Sequence, residues 1–408
     1  MSGAPDTAND TARLNVLQVC DHLGWEGSRM HGVKRLFAWM IPRFDPKRFN
    51  VSLVSLRKKD LSEETLESFG IDITYLHKSK FDPSTLPALL KVMRRKRIDV
   101  LHLHGYGATT FGRLAGAMRR IPTILHEHAN LTTTPWYQKM ADAVLEPQTD
   151  IAIAVSQSTA EFLVKARQLP PEKVKVVYLG VPLEEFSRPR SADEIAVARA
   201  ELGIAPGEFV IGSVTRLHDS KGNSFLVEAA RQVIDRRPGA RFVLFGEGPL
   251  LGALQAQAAA LRLGHRFVFA GFTKDVPRAV SAFDISVFPS LWEGTPLTVF
   301  EALAMGKPIV ATDADGLLDV LTHDRDALIV PKRDAAALAD AMVRMIDEPD
   351  TRRRLGDHAR LTGRQYDIAA FVAKMERLYV LLHRVSRATH RRGILSADLS
   401  FLTPRAPA

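Results

Sequence analysis

Residues 290–313 read SLWEGTPLTVFEALAMGKPIVATD. Two carboxylates in this stretch, Glu293 and Glu301, flank Gly294 and the dipeptide Thr295-Pro296. Proline suits the first position of a helix, because the N–H it lacks is one the helix start cannot pair in any case. The order therefore predicts a helix with Thr295 as N-cap, Glu293 in the loop before it and Glu301 on its second turn. Free N–H groups and the helix dipole at such a start form an anion site. The plainer alternative makes Thr298-Val299-Phe300-Glu301 a capping box and Glu293 a surface acid. After the helix, PIVATD is a short apolar run of strand type, so the stretch reads as one unit of an alternating β/α chain.

The same alternation runs in both directions. Before the stretch lie LNVLQV, NVSLVSL, DITYL, DVLHLH, PTILHE, IAIAVS and VKVVYLG, then FVIGSVT, RFVLFG, RFVFAG and ISVFP; after it lies ALIVP. Several are almost continuous Val, Ile, Leu and Phe, as parallel strands covered by helices on both faces require. The fold class is α/β, with two Rossmann-like parallel-sheet domains and right-handed crossovers. A chain of 408 residues is also too long for one ordinary core. LEEFSRPRSADEIAVARAELGIAPGE has no strand pattern and separates the two sheets. The expected division is a tail at 1–12, domains at 13–185 and 186–370, a helix at 371–390 and a loose tail at 391–408. In that helix Phe371, Met375, Leu378, Leu382 and Val385 fall at three- and four-residue spacing, the pattern of a terminal clasp.

Composition narrows the function classes. The N-terminus lacks the layout of a secretory signal, no stretch of membrane-spanning length is free of charge, and the single cysteine, Cys20, makes no internal disulfide. A cytoplasmic protein is expected. No Cys/His pairs stand at ligand spacing and no clustered acidic site is evident, so neither a metal nor a cofactor is expected. Residues 1–180 carry 25 Lys/Arg against 18 Asp/Glu, which is most of the net charge of +9. Their densest cluster, KVMRRKR at 91–97, suits anionic lipid headgroups or a phosphorylated acceptor, or is a solvated helix end. Nucleic acid also fits such a cluster, but the remaining motifs point elsewhere and no nucleic-acid partner is expected.

The paired-glutamate stretch resembles the signature of family 4 glycosyltransferases, retaining enzymes of the GT-B fold, and the resemblance runs over most of the chain. It implies that Glu293 faces the donor sugar and Glu301 binds the ribose hydroxyls. Gly294, Thr295, Pro296 and Leu297 would hold the sugar and phosphate end through the backbone, although Pro296 has no N–H to give. In SVTRLHDSKG the resemblance makes Arg216 and Lys221 the cations that neutralise the leaving diphosphate. HGVKRLFAWMIPRFDPKRF resembles the family's Gly-Gly loop and helix, with Gly32 as the second glycine, His31 in place of the first and Gly27 as a substitute. In PTILHEHAN both His126 and His128 point to one side of the strand, and His128 matches the histidine that contacts the transferred sugar. HLHGYG, with His102 and His104, resembles the strand before the acceptor cleft, and GEGPL places Gly246 at the nucleotide-side turn. DADGLLD keeps Gly316 but departs from the family pattern at Asp315, Leu318 and Asp319.

The resemblance implies an acceptor-side first domain and a second domain that binds a UDP- or GDP-sugar; the basic charge of the first domain points to a glycan or lipid-linked acceptor, with an anionic membrane surface as a further partner. A nicotinamide-dependent dehydrogenase would need Gly-x-Gly-x-x-Gly after the first strand, and QVCDHLGWEGSRMHG lacks that spacing. A GT-B sugar-nucleotide epimerase shares the fold but not the transfer signature. A non-catalytic basic protein that binds membrane or nucleic acid fits the charge alone.

Overall fold

A computed structural model describes residues 13–23, 32–58, 64–128, 134–388 and 397–403. The first sheet comprises β1 (Leu14–Cys20), β2 (Phe49–Ser55), β3 (Ile73–Tyr75), β4 (Val100–His104), β5 (Thr123–Glu127), β6 (Ile151–Ala154) and β7 (Val174–Val176). The second comprises β8 (Phe209–Val214), β9 (Ala240–Phe245), β10 (Phe267–Gly271), β11 (Ile285–Phe288), β12 (Ile309–Thr312) and β13 (Ala327–Val330). Every apolar run singled out in the sequence is a strand, and the pairings are parallel throughout.

The first sheet has the order β3-β2-β1-β4-β5-β6-β7 and the second β10-β9-β8-β11-β12-β13. Each order reverses beside its first strand, between β1 and β4 and between β8 and β11. In open parallel sheets the crevice outside the carboxyl ends at such a reversal is where ligands bind. This is the two-sheet GT-B architecture.

The chain crosses between the sheets twice, side by side. Val181 N–H donates to Tyr366 O at 3.0 Å and Ile368 N–H to Val181 O at 3.0 Å. A Cβ on Gly180 would stand 2.5 Å from the Asp367 carbonyl carbon, so glycine permits this contact. The C-terminal helix runs Ile368–Ala388, three residues earlier than expected, because Asp367 accepts Ala369 N–H at 3.0 Å and so starts it upstream. It returns to the first sheet: Phe371, Met375, Leu378 and Leu382 are buried and Val385 is half-buried. Burying each such side chain contributes roughly 1.5–3 kcal/mol. Glu376 accepts Asp45 N–H at 2.8 Å and fixes the helix to the turn before β2. Residues 397–403, within the stretch expected to be a loose tail, pack back on the molecule: Leu402 is buried and Phe401 lies under the Arg377 guanidinium at 4.3 Å.

Candidate active site

The predicted helix forms, one residue late. It spans Leu297–Ala304 with Pro296, at φ −73° and ψ 134°, in the cap position and no side-chain cap. Thr295 is buried, and its hydroxyl donates to Gly294 O at 2.8 Å, so the expected N-cap role passes to backbone geometry. The loop before the helix is pressed between the two sheets: a Cβ on Gly294 would stand 2.5 Å from His128 O, and one on Gly316 would stand 1.4 Å from Gly294 O. Only glycine fits at either point.

Glu293 and Lys221 form an ion pair, and Ser290 Oγ donates to the same carboxylate oxygen at 2.8 Å. Lys221 closes a short turn, Asp219–Lys221, beyond β8, and Gly222 follows at φ 58°, a left-handed conformation that glycine adopts without strain. Arg216 lies at the end of β8. Burial draws its guanidinium below the ordinary value while Glu293 acts in the opposite sense, and among the described residues it has no ion-pair partner. Gly246, at φ 145°, sits where a Cβ would stand 1.7 Å from Thr215 O, so the turn after β9 is held against the same strand end.

Glu301 is fully buried. Its carboxylate is pushed up from the usual range by burial, and Arg35 opposes the shift as its ion-pair partner. Among the described residues neither carboxylate oxygen has a hydrogen bond of good geometry, so the capping-box alternative fails and the pair of oxygens remains suited to hydroxyl donors. Arg35 belongs to the helix Gly32–Met40 of the other sheet, and a Cβ on Gly32 would stand 3.9 Å from Leu297 Cδ1. The starts of the two helices thus face each other across the cleft. His31 and Gly27 lie outside the described residues.

At the carboxyl ends of β4 and β5, four histidines stack. His126 and His128 are 4.2 Å apart and His102 and His104 4.5 Å, centroid to centroid. His128 Nε2 meets His104 Nδ1 at 2.8 Å, His104 Nε2 meets Gln18 Oε1 at 2.7 Å, and Gln18 Nε2 donates to Tyr379 Oη at 2.8 Å. Tyr379 Oη meets His102 Nδ1 at 2.8 Å, and His102 Nε2 meets His126 Nδ1 at 3.0 Å. Each link carries one proton, so the chain has one polarity. With the Gln18 amide oriented as it stands, His128 donates from Nε2 and keeps Nδ1 as an acceptor, while the proton on His126 Nε2 has no partner among the described residues. Burial holds His102 and His128 at about 3, so both rings are neutral near pH 7.

Among the described residues, His102, His104 and His126 are the one group of side chains close enough to share a metal ion, with ligand atoms within 4.8 Å of one another. A cation there would have to break the chain just described. Asp313 and Asp315 do stand at Asp-x-Asp spacing, which the expectation of no acidic cluster overlooked. Asp313 accepts Lys332 N–H at 2.8 Å and Asp315 faces Lys332 Nζ at 3.8 Å, so the pair is engaged by one lysine.

Sequence reasoning missed Arg35, Gln18, Tyr379 and Ser290. Arg35 stands inside a quoted motif, but nothing in its spacing points to a carboxylate on the other sheet. Asp319, noted only as a departure from the family pattern, accepts Gln157 N–H across the cleft.

Residues 30–185 match the family described as Glycosyltransferase Family 4, and residues 208–348 the one described as Glycosyl transferases group 1. A UDP-Gal:alpha-D-GlcNAc-diphosphoundecaprenol alpha-1,3-galactosyltransferase of Escherichia coli is 24% identical over 78% of this chain and 86% of its own. The putative glycosyltransferase EpsD of Bacillus subtilis is 27% identical over 77% and 84%. Among solved structures, Anabaena HepE in complex with UDP superposes with a TM-score of 0.79 at 20% identity, covering 90% of this chain and 100% of that one. Strand order, paired glutamates and both family matches agree, and the chain belongs to the group 1, family 4 glycosyltransferases of the GT-B fold.

Proposed function

We propose that the chain transfers a sugar from a UDP- or GDP-sugar to a hydroxyl acceptor with retention of anomeric configuration. A lipid-linked or polysaccharide intermediate of cell-surface glycan synthesis, met at the inner membrane face, is the proposed acceptor. The observation that carries this reading is the convergence of Arg216, Lys221, the start of the helix Leu297–Ala304 and the buried Glu301 on one cleft. The expected domain division, 13–185 for the acceptor and 186–370 for the donor, stands as part of it.

Departure of the nucleoside diphosphate builds negative charge on the β-phosphate. Arg216, Lys221 and the helix start stabilise that charge, and preorganised groups of this kind each contribute roughly 10²–10³ in rate. The phosphate oxygen accepts the proton of the incoming hydroxyl on the same face, so no protein nucleophile is needed. Lys221 reaches the phosphate by leaving Glu293, whose freed carboxylate then faces the sugar. Gly32, Gly246, Gly294, Thr295, Pro296 and Leu297 line the donor with backbone, Glu301 binds the ribose hydroxyls, and His128 Nδ1 meets a sugar hydroxyl.

Two relatives support the donor and acceptor classes. The E. coli relative is named for UDP-Gal and a diphosphoundecaprenol acceptor, and HepE is described in complex with UDP and with UDP-glucose. The test is turnover of a panel of UDP-, GDP- and ADP-sugars with a polyprenyl-diphosphate sugar acceptor, with the product anomer read by NMR. An inverted anomer overturns retention, and failure with every sugar nucleotide overturns transfer itself.

A further inference from the structure

One face of the first sheet is covered by three helices packed side by side, Thr85–Arg95, Tyr106–Arg119 and Trp136–Leu145. Together they contain a single acidic residue, Asp142, which is buried and paired with Arg113 and Arg167. Their outer surface therefore presents no carboxylate. It presents Lys91, Arg94, Arg95, Arg119 and Lys139, all exposed.

The helix Trp136–Leu145 is turned the wrong way for a water-facing element. Trp136, Met140 and Val144 recur every four residues and are 72%, 57% and 70% exposed. Phe81, 65% exposed, packs edge-on against Tyr137 at 5.8 Å and carries Lys80 over its ring at 5.5 Å. A contiguous apolar stripe containing an indole, flanked by lysines and arginines with no acid among them, has the composition of a surface that lies in the headgroup region of an anionic bilayer. The acid beside Phe81, Asp82, is occupied by Ser84 and faces Lys78 at 3.9 Å, and Glu146, just past the end of the helix, is paired with Lys173. No helix among the described residues is long and apolar enough to cross a membrane, so contact is confined to the surface.

We propose that the stripe Trp136/Met140/Val144 with Phe81, on the same three-helix face as these basic residues, docks the protein on an anionic lipid surface. Trp136 opens the helix that follows β5, whose end carries His128, so docking brings the acceptor side of the cleft to the membrane. The inference deepens the acceptor reading given above and rests on it for purpose, not for the contact itself. Burial of the stripe supplies affinity that salt does not screen, and the cations supply the screened part.

The test is flotation of the full chain with phosphatidylcholine vesicles, with and without a minority of phosphatidylglycerol, at low and near-physiological salt. Wild type should partition onto the anionic vesicles only. A Trp136→Ser, Met140→Ser double variant should lose at least tenfold in partitioning at both salts. Arg119→Glu with Lys139→Glu should lose as much at low salt, and Arg353→Glu, an exposed change on the second domain, should lose nothing. Sugar-nucleotide binding by thermal shift should be unchanged in all of them, so failure of transfer and failure of docking are read separately. Wild type that ignores anionic vesicles, or a serine variant that binds like wild type, overturns the proposal. So does a dimer that the serine variant breaks in the absence of any vesicle binding, since the stripe is then a protein interface.

Discussion

Replacing Tyr379 by phenylalanine tests whether the C-terminal helix governs the histidine chain. Tyr379 is fully buried, its hydroxyl joins Gln18 Nε2 and His102 Nδ1 at 2.8 Å each, and its ring packs on Phe44 and Phe49. Phenylalanine keeps the ring and leaves no cavity, so the loss is confined to two hydrogen bonds. Each leaves a buried polar group without a partner, at about 1–3 kcal/mol, so the variant should lose about 2–6 kcal/mol. In a domain of this size that corresponds to roughly 5–15 °C in the melting temperature of the first domain. The Gln18 amide, no longer anchored by the Tyr379 hydroxyl, is free to turn over, and in the turned state His128 Nε2 is no longer the donor to His104. Turnover at saturating donor should fall while the donor KM holds. The assay pairs calorimetry with steady-state kinetics, and Leu382→Ala, a buried change on the same helix, serves as a packing control that lowers stability without touching kcat. An unchanged melting temperature would refute the hydrogen-bond chain, and a lowered melting temperature with native kcat would confine Tyr379 to stability.

Arg216→Ala and Lys221→Ala should each cut single-turnover rate at saturating donor by about 10²-fold or more, with a smaller loss of donor affinity; near-native rates would mean the diphosphate binds elsewhere. Glu301→Ala should weaken donor binding by roughly 1.5–3 kcal/mol in calorimetry with less effect on the bound rate, because ribose bonds exist in ground and transition state alike. Arg35→Ala, which strips the same carboxylate of its ion-pair partner, should make donor affinity pH-dependent, and a flat profile would count against that coupling. Histidine in the unfolded chain titrates near 6.5 whereas His102 and His128 titrate at about 3. The unfolded state therefore binds more protons between those values, and stability present above about pH 6.5 is lost on acidification, at about 1.4 kcal/mol per pH unit for each ring. Denaturant midpoints from pH 7.5 down to 5 should show this slope, and His102→Asn should reduce it. Activity should survive EDTA, and a complete loss restored by added metal would refute the assignment of charge neutralisation to Arg216 and Lys221.

Thirteen strands, their parallel arrangement and the separation into two sheets were legible in the sequence, because buried parallel strands need apolar residues on both faces and few other contexts do. The glutamate stretch was legible for a related reason: Gly294, Thr295-Pro296 and the helix after them are local constraints written into consecutive residues. Local pattern failed where a partner came from far along the chain. Thr295 was expected to cap its helix, but its hydroxyl is buried against Gly294 O and Val155 O, an outcome set by the first sheet pressing on the loop. His102 and His104 read only as residues of the strand before the acceptor cleft, and their link to Tyr379, 277 positions beyond His102, exists only in the folded chain. Nothing in the spacing around Arg35 points to Glu301, and only the cleft sets the two side chains together. Composition and spacing determine which elements form and which faces are apolar. Which buried polar group satisfies which other is decided only when the two sheets and the returning helix come together, because a hydrogen bond depends on separation in space and leaves no period in the chain.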